Sequence, residues 1–203
     1  MVAYRRNFIP GASYFFTVTL RDRSSSLLVD RIDTLREAMR SVKKERPFII
    51  DAMVILPDHL HAVWTMPPED ADYSTRWREI KSRFSRKIPA DGHRKESHIK
   101  KCERGIWQRR FWEHTLWDLS DVERHIDYIH YNPVKHGYVN RVVDWSYSSF
   151  HRYVSRGVCP VDWAGGGKND EGGCGERAPG FRVCSTQATT AALDIHSPVA
   201  TDK

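Results

Sequence analysis

The chain lacks the features that mark membrane, secreted and disulfide-rich proteins. None of its 203 residues belongs to an apolar run approaching the ~20 residues that a membrane-spanning helix needs. The segment MVAYRRNFIPG has no long apolar stretch after its arginines, so it does not resemble a secretory signal, and we expect a cytoplasmic location. The four cysteines are scattered without a C-x-x-C pair, which predicts neither a structural zinc site nor a disulfide framework.

Acidic residues are scarce relative to basic ones, since 26 Asp and Glu face 32 Lys and Arg and give a net charge of +6. The excess is concentrated in residues 76–110, where thirteen basic side chains accompany four acidic ones. Trp77, Phe84 and Trp107 interleave with these cations. Cations neutralise phosphates and rings stack on bases, so the segment indicates a nucleic-acid partner. A solvated, charged helix and loop would give the same run of charge.

Residue patterns predict the order strand, helix, strand, strand, helix, strand, followed by a third helix. The strands are predicted at 13–21, 48–56, 59–66 and within 106–116, and the helices at 30–46, 74–88 and 120–132. This order is that of the ferredoxin-like βαββαβ fold, an α+β antiparallel sheet with helices on one face and the other face open for a site. We expect one domain over 1–163 and a disordered tail over 164–203.

Two histidines, His59 and His61, flank one leucine in the third predicted strand. Side chains alternate across a strand, so the two imidazoles share a face, opposite Leu60 and Ala62. Two imidazoles on one face can hold a divalent ion. The pattern alone fits equally well two surface histidines on an amphipathic strand.

The predicted helix SDVERHIDYIHYN offers the remaining parts of such a site. Ser120 and Glu123 indicate a capping box at its start, and Pro133 predicts that it ends at Asn132. Tyr128 and Asn132 are then one turn apart, which puts a phenol beside a neutral carboxamide ligand. Tyr131 is a rival nucleophile, and ordinary half-buried tyrosines would also satisfy the pattern.

Four motifs in this order, LPDHLHAVW, RWREIKSRFSR, WQRRFWEHTL and HIDYIHYNPVKHG, resemble those of the REP-associated tyrosine transposases. REP denotes repetitive extragenic palindromic sequences. These proteins are bacterial single-tyrosine relatives of the HUH transposases, in which U is a hydrophobic residue. The resemblance covers residues 4–163. It implies a ferredoxin-like domain with a C-terminal catalytic helix.

The resemblance also implies a substrate and a site. Such enzymes cleave and rejoin single-stranded DNA that carries REP hairpins and a guide tetranucleotide, with Mg²⁺ or Mn²⁺ as cofactor. By motif position, His59, His61 and Asn132 are the metal ligands and Tyr128 is the nucleophile. The REP-associated branch implies a monomer rather than a homodimer, with no membrane partner.

The basic side chains expected to contact DNA lie in three clusters along the chain. They are Arg5, Arg6, Arg76, Arg78, Lys81, Arg83, Arg109 and Arg110. Trp107 and Trp112 are suited either to base stacking or to the core. A non-catalytic hairpin-binding protein of the same fold is the alternative function.

Overall fold

The computed structural model describes residues 6–89 and 104–163, so Arg5 and the predicted tail at 164–203 lie outside the described residues. The chain divides into two compact units, the first ending at Leu116 and the second beginning at Trp117. The extent of the predicted domain, residues 1–163, stays a prediction.

The first unit is built on a four-stranded antiparallel sheet in the order β2-β3-β1-β4. Its strands are β1 (Ser13–Thr19), β2 (Ile49–Ile55), β3 (His59–Thr65) and β4 (Trp112–Leu116). Its helices are the short α1 (Leu27–Asp30), α2 (Ile32–Glu45) and α3 (Tyr73–Lys87). The predicted α+β fold and its βαββαβ order are confirmed, with α1 as an additional single turn before α2.

One face of the sheet packs against α3 through large aromatic side chains. The rings of Trp64 on β3 and Trp77 on α3 stack with centroids 4.0 Å apart and planes at 14°. Phe16 on β1 meets both rings edge-on. Burying three aromatic side chains contributes several kcal/mol of hydrophobic free energy, on the order of 2–3 kcal/mol each. This packing decides which face of β3 is apolar and leaves the alternate residues, including both histidines, on the other.

The turn between β2 and β3 sets the register of the sheet. Only Leu56, Pro57 and Asp58 separate the strands, and the backbone N–H of Leu56 donates to the carbonyl of His59 at 2.8 Å. His61 consequently lies opposite Thr17 of β1 and Val54 of β2. A slip of one residue would turn both histidines to the other face, so this tight hairpin positions them.

The start of α3 differs from the predicted start at residue 74 by one residue. The helix begins at Tyr73, and Asp72 is the cap, its side chain accepting from the backbone N–H of Thr75 at 2.9 Å. Ser74 lies inside the first turn, where its hydroxyl accepts a hydrogen bond from Arg6. Asp and Ser are comparable caps, so their sequence preferences do not separate them.

The second unit contains the long helix α4 (Leu119–Lys135), a 3₁₀ turn at Val142–Asp144 and the short α5 (Phe150–Ser155). The predicted capping box at Ser120 and Glu123 is wrong. Asp118 caps α4 instead, because its carboxylate accepts from the backbone N–H of Asp121 at 2.7 Å.

The far end of α4 also differs from the prediction, since the helix passes through Pro133 and ends at Lys135. Proline near a helix end removes one N–H donor, and the buried Pro133 and its neighbour Ile129 gain packing in return. Gly137, with a φ of 72°, then ends the helix in the left-handed conformation that glycine accepts readily.

Two further observations bear on the sequence predictions. Among residues 6–89 and 104–163, no helix is long and apolar enough to cross a membrane. The buried Cys159 is disulfide-bonded. The scattered spacing of the cysteines gave no indication of this bond.

Candidate active site

His59 and His61 share one face of β3, as the alternation of the strand predicts. Their ring centroids lie 5.0 Å apart, and the ring planes meet at 85°. Each residue is only 4% exposed, so the expectation of an open face is wrong at this position. The ring of Phe15 stacks on His61 with centroids 5.4 Å apart. The pair is therefore buried, which excludes the alternative of two surface histidines.

Asp58 in the β2–β3 turn contacts His59. Its Oδ1 lies 2.7 Å from Nδ1 of His59, and its Oδ2 accepts a hydrogen bond from Nε of Arg23. Burial acts to raise the pKa of Asp58, but hydrogen bonding and charge from His59 and Arg23 outweigh it and lower the pKa. Burial lowers the pKa of His59, so this imidazole is neutral at pH 7, as a metal ligand must be. No sequence pattern singled out Asp58 as a partner of the histidines.

Thr17 on β1 makes the corresponding contact to His61. Its Oγ1 lies 2.8 Å from Nδ1 of His61, across the β1–β3 register. The Nδ1 atoms of both histidines are thus engaged by neighbours on the same unit, and coordination of a cation by either ring would use Nε2.

In the second unit, α4 carries Tyr128 and Asn132 one turn apart. Tyr128 is half-buried, whereas Asn132 is completely buried. Neither polar atom of the Asn132 side chain has a hydrogen-bond partner in the part of the chain that the structure describes. An unpaired buried amide costs roughly 1–3 kcal/mol, so this side chain needs a partner that the described residues do not supply.

Other titratable groups on α4 have different surroundings. The ammonium of Lys135 lies 5.1 Å from the centroid of the Tyr128 ring. His125 places Nδ1 2.8 Å from the carbonyl oxygen of Asp121 in its own helix. Burial, and secondarily the charge of Arg152, lower the pKa of His130 to about 3, and its Nε2 lies 2.9 Å from the Ser149 hydroxyl. His130 is therefore a neutral core residue that cannot exchange protons with solvent near pH 7.

Each unit by itself carries donors that suit a divalent cation. In the first unit, the imidazoles of His59 and His61 have their Nδ1 atoms engaged by neighbours, and imidazole is a ligand that Mn²⁺ accepts. In the second unit, the carboxamide of Asn132 has no hydrogen-bond partner among the described residues. Mg²⁺ prefers oxygen ligands and retains several waters, so it suits the imidazoles less well.

The basic residues predicted to bind DNA have different environments, and Arg76 and Arg83 each make several hydrogen bonds within the fold. Arg76 is 1% exposed, donates to the backbone carbonyls of Arg46, Pro47 and Asp72, and pairs with Asp70 at 2.7 Å. Arg83 binds both carboxylate oxygens of Glu45 and also Ser41. Arg76 and Arg83 therefore direct most of their donors to the protein itself, which disfavours DNA contacts by these two residues.

A second group of basic residues borders the ring of Phe111. The guanidinium of Arg6 lies 4.1 Å from the ring centroid and the ammonium of Lys81 lies 5.5 Å from it. Arg6 also pairs with the buried Glu113 at 3.5 Å. Lys81 donates to the carbonyl of Gln108 at 2.9 Å. Burial, and secondarily the charge of Arg6, lower the pKa of Lys81 to about 8.

The remaining predicted DNA contacts, Arg78, Arg109 and Arg110, are exposed.

Trp107 and Trp112 were each suited either to base stacking or to the core. Trp107 is buried and meets Phe84 edge-on, with centroids 5.4 Å apart. Trp112 on β4 is 49% exposed, so its ring presents apolar surface to solvent. Trp107 thus belongs to the core, and Trp112 keeps the surface needed for base stacking.

Comparisons with known proteins agree with the resemblance carried by the motifs. The family described as "Transposase IS200 like" matches residues 10–132. The "REP-associated tyrosine transposase" of Escherichia coli (strain K12) is 48% identical over 165 residues, which cover 81% of this chain and 92% of the relative. A relative from Haemophilus influenzae is 46% identical over 166 residues, covering 81% and 94%.

A solved structure supports the same assignment at the level of the fold. It is that of a REP-associated tyrosine transposase bound to a REP hairpin, with a TM-score of 0.72 and 46% identity, covering 88% of this chain and 99% of that one. The chain therefore belongs to the IS200-like transposase family, among the REP-associated tyrosine transposases.

Proposed function

We propose that this protein cleaves and rejoins single-stranded DNA next to REP-type hairpins, with Tyr128 as the nucleophile and a covalent 5′-phosphotyrosine intermediate. The family assignment supports the reaction class. The single observation that carries the site is Asn132, a completely buried amide without a hydrogen-bond partner among the described residues, one turn from the Tyr128 phenol.

In this mechanism the phenolic oxygen of Tyr128 attacks the scissile phosphorus. A phosphorus–oxygen bond forms to the tyrosine, the bond to the 3′ oxygen of the upstream nucleotide breaks, and a 3′-hydroxyl is released. Because the phosphotyrosine bond conserves the energy of the phosphodiester, no nucleoside triphosphate is required. A 3′-hydroxyl then attacks the phosphotyrosine, reseals the DNA and restores the phenol.

The chain's residues would hold Mg²⁺ or Mn²⁺ through His59, His61 and Asn132. When bound, the cation supplies Lewis-acid stabilisation of charge that develops on the phosphate oxygens. A tyrosine with an ordinary pKa near 10 is a weak nucleophile at pH 7. The ammonium of Lys135 lies 5.1 Å from the ring centroid of Tyr128, which places a positive charge near the proposed nucleophile.

DNA binding is proposed to use the half-buried Arg6 and Lys81 and the exposed Arg78, Arg109 and Arg110. Arg5, which lies outside the described residues, is proposed to join them. Lys81 and Arg6 flank one aromatic ring, so a phosphate placed there would meet two positive charges. The solved relative is bound to a REP hairpin, which supports a hairpin as substrate. We propose that the protein acts on it as a monomer.

The test is incubation of the full chain with end-labelled single-stranded DNA carrying a REP hairpin, in Mn²⁺, followed by a denaturing gel. We expect a covalent adduct with the wild type and with Tyr131→Phe, and none with Tyr128→Phe, although all three proteins bind the hairpin. Hairpin binding without any adduct from the wild type would instead support the alternative, a non-catalytic hairpin-binding protein.

A further inference from the structure

We infer that Asp58 is a positioning residue, which holds His59 in the tautomer and orientation that a divalent cation requires, and that Arg23 holds Asp58 in place. This inference rests on the proposed function, because it takes His59 to be a metal ligand. The family resemblance gives no role to Asp58, which lies in the turn before β3. Arg23 lies outside the four motifs.

The geometry of Asp58 fixes both of its carboxylate oxygens. Oδ1 faces Nδ1 of His59 at 2.7 Å, and Oδ2 pairs with Nε of Arg23. The carboxylate is 7% exposed, whereas Arg23 is 58% exposed and approaches from the surface. The carbonyl of Asp58 also accepts from the backbone N–H of Leu20 at 2.7 Å, which ties the turn to the end of β1.

An ionised carboxylate has only acceptors, so the proton in the Asp58–His59 contact must be on Nδ1 of the imidazole. The second nitrogen, Nε2, then carries the lone pair that a cation needs. Carboxylate partners of this kind orient metal-binding histidines and raise their basicity. The Thr17 hydroxyl beside His61 can either donate or accept, so it orients that ring without fixing its tautomer. Of the two histidines, only His59 has its tautomer fixed by the described contact.

The substitution Asp58→Asn hardly changes the volume of the side chain, but it reverses which partner donates in the contact with His59. Arg23 is a donor, so the amide oxygen of the new side chain faces Arg23 and its NH₂ group faces His59. Nδ1 of His59 must then accept, and the proton moves to Nε2, the nitrogen needed for coordination. Loss of an outer-shell partner of this kind weakens metal affinity by about 10–100-fold.

Two measurements on the full chain test the inference. Long-range ¹H–¹⁵N correlation spectra of the wild type, with His59→Gln to assign the signals, are expected to show the proton on Nδ1 of His59. Calorimetric titration with Mn²⁺ is expected to give about 10–100-fold weaker binding for Asp58→Asn. The control is Asp33→Asn, an exposed carboxylate on α2, which is expected to bind Mn²⁺ like the wild type.

Several results would overturn the inference. A proton on Nε2 of His59 in the wild type contradicts it and needs no variant, so the test stands even if Asp58→Asn fails to fold. A folded Asp58→Asn protein whose Mn²⁺ affinity is within twofold of the wild type contradicts it as well. A wild type that binds no Mn²⁺ while His59 shows the expected tautomer would locate the failure in the proposed metal function instead.

Discussion

The imidazole rings of His59 and His61 meet nearly at right angles, with centroids 5.0 Å apart, and different neighbours engage their Nδ1 atoms. A charged carboxylate engages the first ring and a neutral hydroxyl the second. Both rings are buried, so each depends on its neighbour to satisfy Nδ1. This arrangement is what a pair of metal ligands requires, and it follows from the register that the Pro57–Asp58 turn imposes on β3.

Replacing Asn132 with leucine is expected to make the protein more stable but inactive. The buried amide lacks a partner in the described part of the chain, so a side chain of similar size without polar atoms should raise the free energy of unfolding, by about 1 kcal/mol. The same change should abolish Mn²⁺-dependent adduct formation. Urea unfolding and the denaturing gel measure the two effects.

The exposed Asn140 supplies the control for that substitution. Asn140→Leu should leave adduct formation unchanged. If Asn132→Leu instead lowered the free energy of unfolding by more than about 1 kcal/mol, the amide would have a structural role and the argument for a ligand would fail.

Arg76 and Arg78 lie two residues apart on α3 and should behave in opposite ways. Arg76→Met removes a buried cation that pairs with Asp70 and donates to three backbone carbonyls. We therefore expect the free energy of unfolding to fall by about 3 kcal/mol. Arg78→Met should change stability by less than about 0.5 kcal/mol and weaken hairpin binding. Equal stability of the two variants would contradict the burial of Arg76 and the exposure of Arg78.

Hairpin binding should depend on pH through Lys81. Burial and Arg6 lower its pKa to about 8, so above that pH the unbound protein increasingly carries a neutral lysine. A DNA phosphate binds the protonated form, so Kd is expected to rise above pH 8, by up to about tenfold per pH unit. Lys81→Arg stays charged and should remove this dependence at constant salt. A wild-type Kd that is constant from pH 7 to 9.5 would exclude Lys81 as a phosphate contact.

That His59 and His61 share one face of β3 was predictable, because side chains alternate between the two faces of any strand. The order of strands and helices followed from apolar periodicity in the same way. The contacts that fix the pair were not predictable, since Arg23 reaches Asp58 across 35 positions and Thr17 reaches His61 across 44. Such contacts depend on the sheet order, which local sequence does not specify.

Charge patterning also failed to separate buried from exposed cations. Arg76 and Arg78 belong to the same basic run, yet only folding reveals that Arg76 donates to the carbonyl oxygens of Arg46 and Pro47, in the connection between α2 and β2. The end of α4 lies beyond its predicted position for a related reason. The preference of residues before proline for extended backbone is a local effect, and the burial of Ile129 and Pro133 outweighs it.

The central claim is that Tyr128 becomes covalently bonded to DNA, and mass spectrometry of the adduct tests it most directly. The covalent complex formed with a short hairpin substrate is digested with nuclease and trypsin, and the peptide carrying the residual nucleotide is sequenced. We expect the modification on Tyr128 alone, attached through a 5′ phosphate. A modification on Tyr131 or on any other residue would contradict the account.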